Sequence, residues 1–413
     1  MPLTHSALLP VPSSASRHRA PSAGATRVVA ITDVRELATQ QAAWTDLVHN
    51  AIEPNAFYEP WSLIPLLEAF GNGDWTVLFV YDDSEANEPA ALLGVIPLQK
   101  SRLRVLPWPI WSLWENPYCF HCVPLLRQGA AARALAAVGQ WINRSSDTVP
   151  LLDWHHVSAD GPLREAIGTM IDENGWSATS RDSYGRALLV RSHDSETYQQ
   201  EKLSRHQRHE LRRQRRRLAE LGPLEARVCQ PDDHVETWIE DFLALEAAGW
   251  KGRDGTAISS NPADREWFTQ SMRAGFAEGR VGFLGLFLND RPVALKCNFL
   301  CPPGSYAFKI AFDESYPKFS PGVLLEIDNI DWLHDQADLE WMDSCAARDH
   351  SMINRIWADR RQIERLLIAP GYRGQAYLAA WNALQTARNA WHHWKPGKSH
   401  QESESVQPST SSV

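Results

Sequence analysis

A chain of 413 residues is too long for one ordinary domain and points to two; its 44% hydrophobic and 22% charged residues supply enough apolar surface for a core in each. A formal charge of -9 excludes a protein that coats nucleic acid over its whole surface, so any basic site has to be local. Six scattered cysteines (Cys119, Cys122, Cys229, Cys297, Cys301, Cys345) are the usage of a reducing compartment, no run is long and apolar enough to span a bilayer, and the expected location is the cytoplasm.

Residues 1–26 are rich in Ser, Ala and Pro, contain no apolar stretch suited to export, and are expected to be a disordered tail. A first domain is expected over residues 27–192. Within it, Trp61 to Phe70 (WSLIPLLEAF) reads as a helix and Trp75 to Tyr81 (WTVLFVY) as a strand. A polar turn follows, and Pro89 to Gly94 (PAALLG) opens a return strand. Cys119-Phe120-His121-Cys122 has the spacing of half a zinc site, but no second Cys or His pair follows at a suitable distance, and no metal is expected. A strand over Val123 to Leu126 leads into Arg127-Gln128-Gly129-Ala130. The strand Leu151-Leu152-Asp153 ends in an acid, and Ala187 to Val190 closes the domain.

The polar stretch Ser192-His193-Asp194-Ser195 marks a boundary, and a second domain is expected over residues 197–394. It opens on a basic helix with Arg205, Arg208, Arg212, Arg213, Arg215, Arg216 and Arg217, a density that suits nucleic-acid phosphates. Leu211, Leu218 and Leu221 form a narrow apolar stripe that favours the other reading, a docked helix whose arginines are solvated, acid-paired or turned to an anionic ligand. Trp267 to Phe276 (WFTQSMRAGF) repeats the Trp-to-Phe spacing of the first domain. Val281 to Leu288 (VGFLGLFL), the turn Asn289-Asp290-Arg291 and the exit Pro292-Val293-Ala294-Leu295 repeat its hairpin. Leu339 to Asp343 again ends in an acid. Residues 395–413 are polar and without aromatic residues, and a second disordered tail is expected there.

The sharpest local signal runs from Phe308 to Leu325 (FKIAFDESYPKFSPGVLL). It reads as a buried strand, a loop, and a helix begun by Ser320 as N-cap with Pro321 at the first helical position. Gly322 lets the backbone approach a bulky ligand, the helix start favours an anion, and Lys318 adds charge, so a pyrophosphate would suit this loop.

Glu246 to Ala257 (EAAGWKGRDGTA), Lys309 to Asp313 (KIAFD) and Tyr316 to Leu325 together resemble the GNAT-type acyltransferases related to cellulose-biosynthesis accessory proteins, distant relatives of the FemAB peptidoglycan aminoacyltransferases. The likeness runs from about Lys202 to Ile368. It implies two tandem GNAT-like α/β domains, each a mixed, partly antiparallel sheet flanked by helices. It places the pyrophosphate of acetyl-CoA or another acyl-CoA on Lys318, Phe319, Ser320, Pro321, Gly322 and Val323, and the thioester along the strand Tyr306 to Phe312. Trp250, Lys251 and Tyr316 are its acceptor contacts. The chemistry implied is attack of a neutral amine on a thioester, with Asp313, Asp343 and His350 as candidates to take the amine proton. Many members have an aromatic-Lys pair before the tryptophan that follows; this chain has Ile353-Asn354-Arg355-Ile356-Trp357.

The first domain lacks the Ser-Pro-Gly loop and is expected to have lost the cofactor and to close one side of the acceptor cleft. The expected activity is N-acyl transfer from acyl-CoA to a primary amine, with an amino sugar or polysaccharide precursor suggested by kinship. Two alternatives remain: an aminoacyl-tRNA-dependent transferase that uses the arginine helix as its tRNA contact, and a non-catalytic binding module.

Overall fold

The computed structural model describes residues 25–83, 90–103 and 108–394. Both expected tails lie outside the described residues, except that a strand already begins at Thr26; Pro89 also lies outside. Thirteen strands are described: β1 (Thr26–Ile31), β2 (Trp75–Asp82), β3 (Leu92–Ser101), β4 (Ile110–Leu113), β5 (Leu125–Leu126), β6 (Val149–Ser158), β7 (Ser177–Val190), β8 (Leu224–Val228), β9 (Val281–Leu288), β10 (Arg291–Cys301), β11 (Gly304–Phe312), β12 (Trp341–Asp343) and β13 (Asp359–Ala369).

They form one mixed sheet in the order β1, β2, β3, β4, β6, β13, β7, β12, β11, β10, β9, β8, with β5 paired to β3. Only β4 with β6 and β11 with β12 run parallel. The order reads the same outward from its centre. From β13 the chain-order counterparts are β6, β4, β3, β2 and β1; from β7 they are β12, β11, β10, β9 and β8. The two halves exchange their last strands: β7, from the first, pairs with β12 of the second, and β13, from the second, pairs with β6 of the first.

The chemistry of each segment explains its place. β9 is buried along its whole length, as expected of a continuous apolar run covered on both faces. The helices Pro60–Phe70 and Pro262–Ala277 each start on a proline, and the second is capped by the Asn261 side chain, which accepts from the Ala263 N–H. These helices pack on each other, and Gly275 makes that approach possible. A Cβ there would stand 2.7 Å from the Trp61 ring.

The core joins the halves through aromatic rings. Trp61 meets Phe299 at 5.0 Å, Tyr118 stacks on Trp267 at 4.3 Å, and Phe57 meets Tyr306 at 5.1 Å, the first of each pair from the first half and the other from the second. Such contacts each contribute about 0.5–1.5 kcal/mol beyond burial.

Several boundaries differ from the sequence reading. β6 does not end at Asp153 but continues to Ser158, and only Leu125–Leu126 of the expected strand Val123 to Leu126 pairs. β7 begins at Ser177, ten residues before the apolar stretch that announces it. Its first part, SATSRDSYGR, is polar and half-exposed and is held by the β13 ladder rather than by burial.

Candidate active site

β12 pairs with β11 only at Gly304, Ser305 and Tyr306, and beyond them the two parallel strands part. On its other edge β11 carries a bulge. From Cys297 to Phe299 β10 advances two residues, while the opposing stretch of β11 from Lys309 to Tyr306 covers three. A bulge leaves one residue out of the ladder and re-aims its neighbours, so backbone groups of β11 beyond Tyr306 on the β12 side have no strand partner. An opening of about 220 Å³ lies here, walled by Ala307 to Ile310 of β11 and by Ser344, Cys345 and His350 after β12.

Three lysines converge on it. Lys296 lies in its wall and pairs with Glu326 at 2.6 Å, each only 2% exposed. The second oxygen of Glu326, Oε2, has no hydrogen-bond partner among the described residues. Lys251 Nζ pairs with the buried Glu246 Oε1 at 2.8 Å, while Glu246 Oε2 accepts the Ile258 N–H at 2.8 Å. Glu246 thus staples the EAAGWKG segment to the residues that follow it. Lys309 Nζ lies over the Tyr118 ring at 5.0 Å and makes no hydrogen bond among the described residues. Burial pushes it below the ordinary lysine range, and the Lys251 ammonium adds to the shift.

The predicted residues divide. His350 and Lys251 line the opening, and Trp250, half-exposed, borders its shallow continuation along β11, where its N–H donates to Glu314 Oε1 at 2.7 Å. Asp313 instead closes a turn, accepting from the Ser315 N–H and Oγ at 2.8 and 2.7 Å. Asp343 is fully buried at the end of β12, with Arg361 Nη1 at 3.0 Å and Arg186 Nη1 at 3.5 Å. Burial opposes its ionisation, and the two guanidiniums outweigh it, so the carboxyl lies below its ordinary range. Neither carboxylate faces the opening. Tyr316 packs toward Phe319, ring centroids 6.4 Å apart, in the cluster under the helix Pro321–Asp335.

That helix begins at Pro321 as the sequence predicts, but the Ser320 hydroxyl does not cap it. Ser320 takes a left-handed conformation (φ 50°, ψ 56°), and its carbonyl instead accepts from the Val323 and Leu324 N–H groups. The Gly322 N–H has no acceptor among the described residues. What closely approaches Gly322 is the Phe312 ring: a Cβ there would stand 2.9 Å from Phe312 Cδ1. Lys318 is exposed beside the helix start, so residues 318–323 offer a free N–H, a helix N-terminus and a cation, the donor set a pyrophosphate needs.

The basic helix Arg205–Ala219 docks against this helix. Leu218 is buried with Leu324 and Leu325, and Arg215 reaches Asp328 at 2.5 Å. Leu221 falls beyond its end and is 52% exposed, so the apolar stripe is Leu211 and Leu218 alone. Arg205, Arg208, Arg212, Arg216 and Arg217 form no ion pair among the described residues. Cys119 and Cys122 are buried with their sulfurs 3.9 Å apart, and no metal-binding group of His, Cys, Asp and Glu occurs among the described residues. No described helix is long and apolar enough to cross a membrane.

Lys309, Lys296, Glu326 and Glu246 were not candidates from the sequence. Lys296 had a signal there as a lone charge inside an apolar run (PVALKCNFL), and Glu326 a weaker one as an acid directly after three apolar residues (VLLE). Glu246 and Lys309 stood at the head of two motifs that carried the family resemblance.

Residues 205–350 match the family described as acetyltransferase (GNAT) domain. That match spans the parted strands and the helix start, so this part of the chain is similar to GNAT-type acetyltransferase domains. Among solved structures, the chain resembles FemX at 9% identity, covering 79% of this chain and 95% of that one with a TM-score of 0.51. It also resembles the C-terminal domain of a putative lysylphosphatidylglycerol synthetase from Agrobacterium fabrum, at 14% identity over 84% of this chain and 96% of that one with a TM-score of 0.51. At these identities the likeness is one of fold. No curated protein matches the sequence.

Proposed function

We propose that the protein is an N-acyltransferase that moves an acyl group from acyl-CoA to a primary amine, and that the parting of β11 from β12 beside the β11 bulge is its reaction centre. That geometry carries the reading, because it brings backbone groups of β11 that lack a strand partner together with the half-buried Lys309 in one opening.

Acyl-CoA, when bound, supplies an activated acyl group: the amine nitrogen bonds to the acyl carbon, the carbon–sulfur bond breaks, and the thiol departs with the proton the amine gives up. Residues 318–323 would hold its pyrophosphate through the Gly322 N–H, the helix dipole and Lys318. Backbone N–H groups of the β11 bulge orient toward charge developing on oxygen. Lys309 Nζ, held neutral more easily than an ordinary lysine, takes the amine proton and returns it to sulfur. Glu326 and Lys296 stand as a buried ion pair in the wall of the opening, and His350 stands at its rim. The resemblance of its motifs to the cellulose-biosynthesis accessory acyltransferases suggests an amino sugar or polysaccharide precursor as acceptor.

A second reading, transfer from aminoacyl-tRNA, is favoured by the row of arginines on Arg205–Ala219 without ion-pair partners and by the fold shared with FemX. Calorimetric titration with acetyl-CoA separates the two. Micromolar binding weakened by Lys318→Glu, an exposed position, supports the acyl-CoA reading. Absence of acetyl-CoA binding together with salt-sensitive binding of aminoacyl-tRNA replaces it with the second.

A further inference from the structure

We infer that the first half carries a saccharide-binding site, separate from the acyl-transfer centre, in a cavity of about 520 Å³ at the end of the helix Ala131–Arg144. Its walls are unusual in composition. Trp75 from β2, Trp111 from β4 and Trp141 from the helix all line it, and the Trp111 and Trp141 rings are 5.2 Å apart. Trp111 is 95% buried, yet its indole N–H finds no acceptor among the described residues. Trp141 is partly exposed and offers the platform.

Polar groups border the same cavity. Lys100 and Asp147 pair at 2.6 Å, and Asp147 also accepts from Ser145 Oγ at 2.6 Å. Asp74 and Arg144 stand exposed at the rim with no ion pair among the described residues. The four charges sum to zero, and Lys100 is already neutralised by its neighbour. A phosphate or nucleotide would meet two carboxylates here, so the charge pattern selects a neutral ligand. A wholly apolar ligand would leave the charged rim without partners. A pyranose matches both features: its C–H face packs on indole, and its hydroxyls pair with carboxylate and guanidinium groups that donate or accept in twos.

The test is calorimetric titration of the full chain with cellobiose and with N,N′-diacetylchitobiose, with inorganic phosphate as the charged control. Saturable binding of either disaccharide is expected, with Trp141→Ala weakening it by about tenfold. Because Trp141 also packs on Trp111, Asp74→Asn provides a variant at an exposed position with no internal contact to lose. It is expected to weaken binding about threefold, with an unchanged thermal unfolding midpoint. Failure of both disaccharides to bind, or binding that neither variant changes, overturns the inference. Phosphate binding that Arg144→Gln abolishes makes the cavity an anion site and overturns it too. None of these readouts depends on acyl transfer, so this site and the reaction centre stand or fall separately.

Discussion

Asp153 on β6 and Asp343 on β12 are gripped in the same way, each fully buried and each held by one arginine from β7 and one from β13. Arg181 and Arg365 reach Asp153 at 2.7 and 2.5 Å, and Arg186 and Arg361 reach Asp343 at 3.5 and 3.0 Å. Since β7 and β13 are the exchanged strands, the two clamps tie each half's last strand to the other half. Asp343→Asn leaves two guanidiniums buried without their counter-charge and is expected to lower stability by about 3–5 kcal/mol, read by urea unfolding. Asp153→Asn should cost less, because Arg181 and Arg365 remain partly open to solvent. The folded carboxyl of Asp343 lies below its ordinary range, so its contribution is present above the unfolded value of about 4 and is lost as pH falls through the folded one. A variant of wild-type stability that loses acyl transfer would instead make Asp343 a catalytic base.

Lys309→Met is expected to lower kcat by about 10²–10⁴ while leaving acetyl-CoA affinity within about twofold. Lysine must be neutral to accept a proton, so the wild-type rate should fall as pH drops through the Lys309 value, which burial places below the ordinary lysine value of about 10.4. The variant should lose that limb of the pH profile. Retention of kcat in Lys309→Met with its loss in His350→Ala would move the proton to the rim histidine.

The repeat was legible because its hairpins are apolar and its helices keep a Trp-to-Phe spacing; β9 falls where VGFLGLFL places it. The helix at Pro321 was legible for the same local reason. The exchange of β7 and β13 was not, since strand order depends on partners far away in sequence and SATSRDSYGR has no apolar alternation. The site divided along the same line. Lys251 and His350 lie in motifs readable locally, whereas the work assigned to Lys309 depends on a β-bulge and on the parting of two strands. Asp313 and Asp343 looked catalytic because an acid at a strand end is compatible with either role, and only their partners distinguish the two.

Gly322→Ala is expected to cost about 1–3 kcal/mol, because its Cβ would stand 2.9 Å from the Phe312 ring. Phe312→Leu should restore part of that loss in the double variant, which thermal unfolding of all four proteins measures as a coupling. Acetyl-CoA affinity read on the same set separates packing from ligand approach. A Gly322→Ala protein of full stability and no acetyl-CoA binding would show that the glycine serves the cofactor rather than Phe312.

Lys296 and Glu326 offer the same separation inside the opening. Each is 2% exposed, so removing one leaves the other as an uncompensated buried charge: Lys296→Met or Glu326→Gln should each cost about 3–5 kcal/mol. Replacing both, as Lys296→Met with Glu326→Leu, removes the two desolvation penalties together and should return stability to within about 1–2 kcal/mol of the wild type. Activity then decides the role of the pair. If the pair sets the charge that the amine meets, the double variant is stable but its KM for the amine rises and its kcat falls. A stable double variant with unchanged kinetics would confine the pair to packing and leave Lys309 as the ionisable side chain the reaction needs.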